Sequence, residues 1–173
     1  MANNFLTYKK NKIGKSLIEE NSEDIVKKIL KEAEENKCKI LIPEDCLVAK
    51  SFEGEPVSKD IKSVEKDDII LDIGPKTIKI IEEILDSSNT VMWNGPAGYF
   101  ENKKFSLGTI AIAQRISENT KKKSLISVIG GGDTVSAINN SGLKLTFTHL
   151  STAGGAFLEY LEGKDLPGLS VLK

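Results

Sequence analysis

Ser124–Ile138 reads SLISVIGGGDTVSAI. Leu125, Ile126, Val128 and Ile129 form a short, β-branched-rich run of the kind that fills a strand buried on both faces. Gly130, Gly131 and Gly132 follow at once, and then Asp133, Thr134 and a small-residue stretch able to start a helix. Consecutive glycines permit positive φ and let a bulky group approach the main chain. A helix beginning just past them aims free N–H groups and its positive dipole end into that gap, where a phosphate is the natural occupant. Asp133 suits such a site if a divalent cation lies between carboxylate and phosphate. Taken alone, the motif is equally an ordinary strand-to-helix turn with Asp133 as N-cap.

The chain has 173 residues, 28% of them charged, and a net charge of −1. That length is enough for one domain with a sizeable core, and the charge balance suggests neither nucleic acid nor an acidic tail as partner. Arg115 is the only arginine, so guanidinium clamps for phosphate or carboxylate are scarce. Cys38 and Cys46 are too few for a disulfide framework or a structural zinc site and read as core or near-surface thiols. No run reaches the length of a membrane span and the N-terminus is polar, so a cytoplasmic protein is expected.

Along the chain, Phe5, Leu6 and Tyr8 open without a capping signal. Gly14-Lys15-Ser16 looks like the end of a Walker A loop, but Lys9 stands where the earlier glycine is required and no strand precedes it. Ser22 can cap a helix to about Lys37, with Ile25, Val26, Ile29, Leu30 and Ala33 on one face. Lys39–Pro43 and Leu47–Phe52 read as strands, and Pro56–Asp67 as a polar excursion. Ile69–Ile73 is a strand, with a helix from Lys76 to about Leu85. Thr90–Trp93 is another, followed by a helix over roughly Gly108–Glu118, and Leu145–Leu150 is the last. Strands alternating with helices predict an α/β fold: a Rossmann-like three-layer sandwich with a mainly parallel sheet.

Parallel strands present their carboxyl ends at one edge, where ligands bind. Three end in glycine turns here: Asn94-Gly95-Pro96-Ala97-Gly98, Gly130–Thr134, and Ser151-Thr152-Ala153-Gly154-Gly155. Asn94, Asp133, Thr134, Ser151 and Thr152 add polar groups to what becomes a wall of N–H and hydroxyl donors, suited to a polyphosphate. The GxGxxG dinucleotide fingerprint is absent. His149 is the only histidine and reads as a satisfied core residue; Trp93 likewise reads as core. Glu101 is either a ribose contact or a helix-start acid.

The segments MWNGPAGYFE, VIGGGDT, STAGGAFLEYLEGKDLPG, LDIGPKT and the IGKSL of Ile13–Leu17 resemble, in order, the C-terminal domain of the phosphoglycerate kinase family. The resemblance implies that residues 1–173 form the nucleotide-binding domain, incomplete at its N-terminal side with the first strands missing and the N-terminal domain absent. It implies MgADP or MgATP as ligand, with 3-phosphoglycerate or 1,3-bisphosphoglycerate engaged only if the missing domain is supplied. By the same resemblance Asp133 meets the nucleotide-bound Mg²⁺ and Thr134 a phosphate oxygen. Gly131, Gly132, Gly154 and Gly155 cradle the transferring group. Asn94 contacts phosphate, Pro96 and Glu101 the ribose, Leu17 and Leu71 line the adenine pocket, and Gly98 belongs to the same nucleotide set. No nucleic acid, membrane or oligomeric partner is implied.

Ala153 stands where the family has glycine, and Ile70 where many members have a small residue against the adenine. The family's phosphate-binding lysine and its phosphoglycerate-binding basic patch have no counterpart. The resemblance therefore implies a portion of a glycolytic kinase that is inactive by itself; the alternative is a nucleotide-binding module without catalysis.

Overall fold

The computed structural model describes residues 1–151 and 153–172. The chain begins with helix α1 (Ala2–Tyr8), held by Leu6, which is buried. The IGKS segment then splices onto a later strand: Gly14 pairs with Ile69, Lys15 N–H donates to the Asp68 carbonyl, and Ser16 Oγ accepts the Ile70 N–H at 2.8 Å. Its backbone and hydroxyl are thus occupied by sheet contacts. Helix α2 (Glu23–Glu35) follows. Of its predicted apolar face only Val26 is buried, whereas Ile25 and Ile29 are exposed.

The predicted strand Lys39–Pro43 is not one. Its residues are mostly half-buried, but no described strand pairs with them. An apolar run supplies β-propensity, while ladder membership needs a partner, and Pro43 lacks a donor. The strand begins at Asp45 instead: β1 (Asp45–Ala49) is buried at every residue. It lies between β2 (Val57–Asp60), inside the stretch read as an irregular excursion, and β3 (Ile69–Ile73). β1 is antiparallel to both, an arrangement the alternating pattern did not announce. The connection between β1 and β2 holds no helix, and antiparallel neighbours need no crossover.

Helix α3 (Pro75–Ser87) starts on a proline at its first turn, where the missing N–H costs nothing. Asp45 reaches up from β1 to accept the N–H groups of Lys76 and Thr77 at 2.9 and 2.8 Å, capping that helix from another strand. Next come β4 (Thr90–Asn94), α4 (Leu107–Lys121), β5 (Ile126–Gly130), α5 (Gly132–Asn140), β6 (His149–Leu150), α6 (Gly155–Leu161) and α7 (Pro167–Ser170). Strands β4, β5 and β6 form a parallel sheet in that order. The α/β class is therefore as expected, with the parallel sheet carrying the glycine turns.

Leu85, Trp93, Ile112, Ile116, Leu125, Ile129 and Ile138 make the core between this sheet and α3, α4 and α5. Burying each such side chain is worth about 1.5–3 kcal/mol. Trp93 is part of it, as expected, and its indole N–H donates to the Gly95 carbonyl at 2.8 Å. On the opposite face Met92 and Ile126 are 52% and 56% exposed, and Phe157 of α6 lies against Gly130. His149 is exposed on β6, which corrects its assignment to the core. β6 is also shorter than the predicted Leu145–Leu150, because side chains replace the ladder there. Ser127 Oγ accepts the Thr148 N–H, Thr148 Oγ1 accepts the Ser127 N–H, and Ser117 Oγ accepts that of Thr146.

Candidate functional site

The carboxyl ends of β4, β5 and β6 share one edge, so the turns after Asn94, Gly130 and Leu150 are neighbours, as the parallel register requires. Gly131 has φ 91°, a conformation costly for any side chain, and a Cβ there would sit 2.9 Å from Asn94 Oδ1. The Asn94 amide thus lies directly against the Gly130-Gly131 turn. Helix α5 starts at Gly132 with Gly131 as its N-cap and no capping side chain. Asp133 is therefore not the N-cap. It stands exposed in the first turn of the helix, and its carboxylate makes no ion pair among the described residues.

The first intrahelical bond of α5 runs from Val135 N–H to the Gly131 carbonyl. The N–H groups of Gly132, Asp133 and Thr134 precede it and are the orphan donors of a helix start. Around Gly132 a Cβ would meet nothing within 4 Å, so this end is open. Gly154 (φ 56°) and Gly155 across the edge are exposed and equally unobstructed, and Ala153 is exposed. Ser151 Oγ accepts the Ala153 N–H at 3.3 Å, and Thr152 lies outside the described residues. Thr134 is placed differently: its side chain is fully buried, and its hydroxyl oxygen accepts the Gly95 N–H at 2.7 Å.

A cavity of about 580 Å³ lies beside this edge. Leu17, Leu71, Pro96 and Gly98 line it together, with Tyr99 and Phe52, whose rings meet edge-on at 5.2 Å. Leu17 is largely exposed at the rim and Leu71 is buried in the wall. Ile70 also lines it and packs against the cluster containing Leu6 and Val48. Glu101 is not brought into this cavity. It lines a second one of about 460 Å³ with Lys103, Ser106, Thr109 and Asn140.

The residue the sequence reading passed over is Asp72. It sits in the apolar run ILDI, where a carboxylate is itself a signal. It is 2% exposed and lines the larger cavity. Its Oδ2 accepts the Gly108 N–H at 2.9 Å, at the start of α4, and its Oδ1 accepts its neighbour Ile73 N–H at 2.8 Å. Burial pushes its pKa up to about 6, against the opposing pull of the Gly108, Ile73 and Leu107 N–H groups.

Asp68 behaves oppositely. Burial disfavours its charge, but hydrogen bonds from Lys50, Lys59 and the Glu65 N–H outweigh that and hold its carboxyl well below the usual range. Arg115 is engaged with Glu82, Asp86 and Glu118 at 3.5–3.8 Å.

A metal would need more than Asp133 alone: among the described residues no cluster of three His, Cys, Asp or Glu side chains is placed to hold one. A single exposed carboxylate at a glycine-lined helix start fits a cation that arrives on phosphate oxygens. No described helix is long and apolar enough to cross a membrane.

Parallel strands ending in open glycine turns at one edge, with a cavity alongside, define an α/β protein of the open-sheet kind, whose ligands as a class bind at that edge. The family model for phosphoglycerate kinase matches residues 1–164, and the chain belongs to that family. It is 47% identical over its whole length to the phosphoglycerate kinase of Zymomonas mobilis and 46% identical to that of Wolbachia pipientis, covering 44% of each. The structure of phosphoglycerate kinase from Coxiella burnetii superposes with a TM-score of 0.91 at 38% identity, over 99% of this chain and 43% of that one. The enzyme from Pyrococcus horikoshii gives 0.73 at 31% identity, over 99% and 42%. The chain thus spans less than half the length of the curated relatives it matches.

Proposed function

We propose that residues 1–173 belong to the C-terminal, nucleotide-binding domain of a phosphoglycerate kinase and bind MgADP or MgATP. The whole enzyme would pass a phosphoryl group reversibly between 1,3-bisphosphoglycerate and ADP, giving 3-phosphoglycerate and ATP, in cytoplasmic glycolysis. The observation that carries this reading is the open start of α5 beside the Asn94 and Gly154-Gly155 turns, with an apolar cavity next to it.

The adenine would rest between Leu71 and the Pro96–Tyr99 turn, with Leu17 at the rim. The N–H groups of Gly132, Asp133 and Thr134, with those of Gly154 and Gly155, would hold phosphate oxygens. Thr134 would act through its backbone N–H, since its side chain secures the Gly95 turn. Asp133 would hold the nucleotide's Mg²⁺, which when bound supplies charge neutralisation at the phosphates. Phosphoryl transfer needs positioning and charge stabilisation more than a protein nucleophile, and backbone donors provide both.

Catalysis would need parts of the relatives' length that this chain does not span. Arg115, its one guanidinium, is committed to Glu82, Asp86 and Glu118. That same feature favours, as second reading, a nucleotide-binding module without catalysis. Thermal unfolding with and without MgADP tests the shared core of both. A ligand binding only the native state must raise the midpoint. A midpoint indifferent to millimolar MgADP would sink both readings, and a shift accompanied by no phosphoryl transfer would favour the second.

A further inference from the structure

We propose that Asp72 is a positioning residue for the larger cavity: its ionised carboxylate seats the Pro96–Tyr99 turn against β3, so nucleotide affinity depends on whether that carboxylate carries its charge. This rests on the nucleotide reading of the cavity and adds a residue and a control to it. The cavity has two facing walls, Leu71 on β3 and Pro96, Gly98 and Tyr99 on the turn after β4. Three contacts fix their separation. Tyr99 N–H donates to the Leu71 carbonyl at 2.7 Å. Ala97 N–H donates to Thr109 Oγ1, in the first turn of α4, at 2.9 Å. Gly98 rests on the Asp72 carboxylate so closely that a Cβ would lie 2.4 Å from Oδ1.

Asp72 joins these contacts because it also holds the start of α4 to β3 through the Gly108 N–H. Gly108 is packed as tightly as Gly98, since a Cβ there would lie 2.5 Å from the same oxygen. The turn, the helix and the strand therefore meet on one carboxylate. An ionised carboxylate accepts on both oxygens; a protonated one converts one acceptor site into a donor. With Gly108, Ile73 and Leu107 all donating, protonation removes acceptor capacity where three N–H groups converge. The α4 start then loosens, and the wall hung from Thr109 moves with it.

Among the described residues no charged side chain shares in this. The titratable groups on the elements packed around Asp72 are Asp45 and Cys46 on β1, Lys103 and Lys104 before α4, Arg115, Glu118 and Lys121 along α4, and Tyr99 and Glu101 in and beside the turn. Asp45 is occupied at the start of α3. The influences acting on Asp72 are burial and the three backbone N–H groups. Its titration near pH 6 falls within an accessible range and belongs to one group.

The test is a pair of measurements on the chain and on Asp72→Asn, which keeps the size and one acceptor oxygen. In ¹H–¹⁵N spectra from pH 4.5 to 8, the Gly108 and Ile73 amides should titrate with a midpoint near pH 6, and Gly98 and Tyr99 should follow with the same midpoint. All four transitions should vanish in the variant. Calorimetric MgADP affinity should fall roughly fivefold or more between pH 7.5 and 5.5 in the chain relative to the variant, a coupling of about 1 kcal/mol. Taking the ratio of the two proteins cancels the nucleotide's own protonation. Gly98 and Tyr99 amides that ignore the Gly108 transition would overturn the positioning role, as would identical pH profiles of affinity. If MgADP binds at no pH while the four amides titrate together, the positioning of the turn stands and the nucleotide reading falls.

Discussion

The hydroxyl of Thr134, on α5, accepts the backbone N–H of Gly95, in the turn after β4, at 2.7 Å. The sequence placed these residues in two separate glycine turns; the hydrogen bond makes them one structure. Thr134 is fully buried and Gly95 half-buried. Thr134→Val keeps the shape and removes the acceptor, and should cost about 1 kcal/mol, the usual net worth of an intramolecular hydrogen bond. Thr134→Ser should retain most of the stability. Urea unfolding of both variants checks this, and equal midpoints for Val and wild type would show the bond to be dispensable.

Stability should depend on pH in two opposed ways. The folded chain holds the Asp72 proton up to about pH 6, against an ordinary value of 3.8. It therefore binds more protons than the unfolded chain between those values, and stability rises as pH falls through that window. The shift corresponds to about 3 kcal/mol. Asp68 has its pKa lowered, so its contribution is present above 3.8 and is lost as pH falls further. Together they place the stability maximum near pH 4, with the Asp72 limb descending from there to about pH 6. Asp72→Asn should flatten the limb above it, as read from melting temperatures across pH.

The two cysteines should differ sharply toward thiol reagents. Cys46 is buried on β1, and burial, reinforced by Asp45 and Asp68, pushes its thiol up to about 12. The thiolate is the reactive form, so Cys46 should be inert at pH 8. Cys38 is exposed. Native protein should react with one equivalent of a thiol reagent and unfolded protein with two. Two fast equivalents under native conditions would mean that the central strand of the antiparallel sheet opens readily.

Asp133→Ala tests the metal contact separately from the fold. The side chain is exposed at the start of α5 and takes no part in the core. Removing it should leave the unfolding free energy within about 0.5 kcal/mol of wild type, as for surface changes away from special features. The gain in ADP affinity on adding Mg²⁺ should then disappear. Undiminished Mg²⁺ dependence would assign the cation to other groups.

The sequence disclosed what local chemistry controls and missed what needs a partner. Ser124–Ile138 was legible because a β-branched run followed by glycines has few other uses, and β4 and α3 to α5 were legible from period and punctuation. Lys39–Pro43 misled because propensity cannot say whether a partner strand exists. β1 starts two residues before the expected Leu47, at Asp45, whose carboxylate belongs to the start of α3, a partner that the local sequence does not reveal. His149 carried no local mark of an exposed sheet face. Thr134 was assigned by its neighbours in sequence and Asp72 was passed over, yet each works through a residue more than thirty positions away.

The adjacent glycines Gly131 and Gly132 should separate folding from binding. Gly131 needs φ 91° and lies against Asn94, so Gly131→Ala meets both backbone strain and a 2.9 Å contact. It should cost about 1–3 kcal/mol. Gly132 opens α5 with nothing within 4 Å, and alanine is the better helix former there. Gly132→Ala should therefore be neutral or slightly stabilising in the absence of ligand. Its methyl would nonetheless stand among the three N–H groups proposed to receive phosphate, and MgADP affinity should drop about tenfold, a loss of about 1.4 kcal/mol. Melting curves and calorimetry on the two variants read both effects. If Gly132→Ala binds MgADP as tightly as wild type, the start of α5 is not where the phosphates rest.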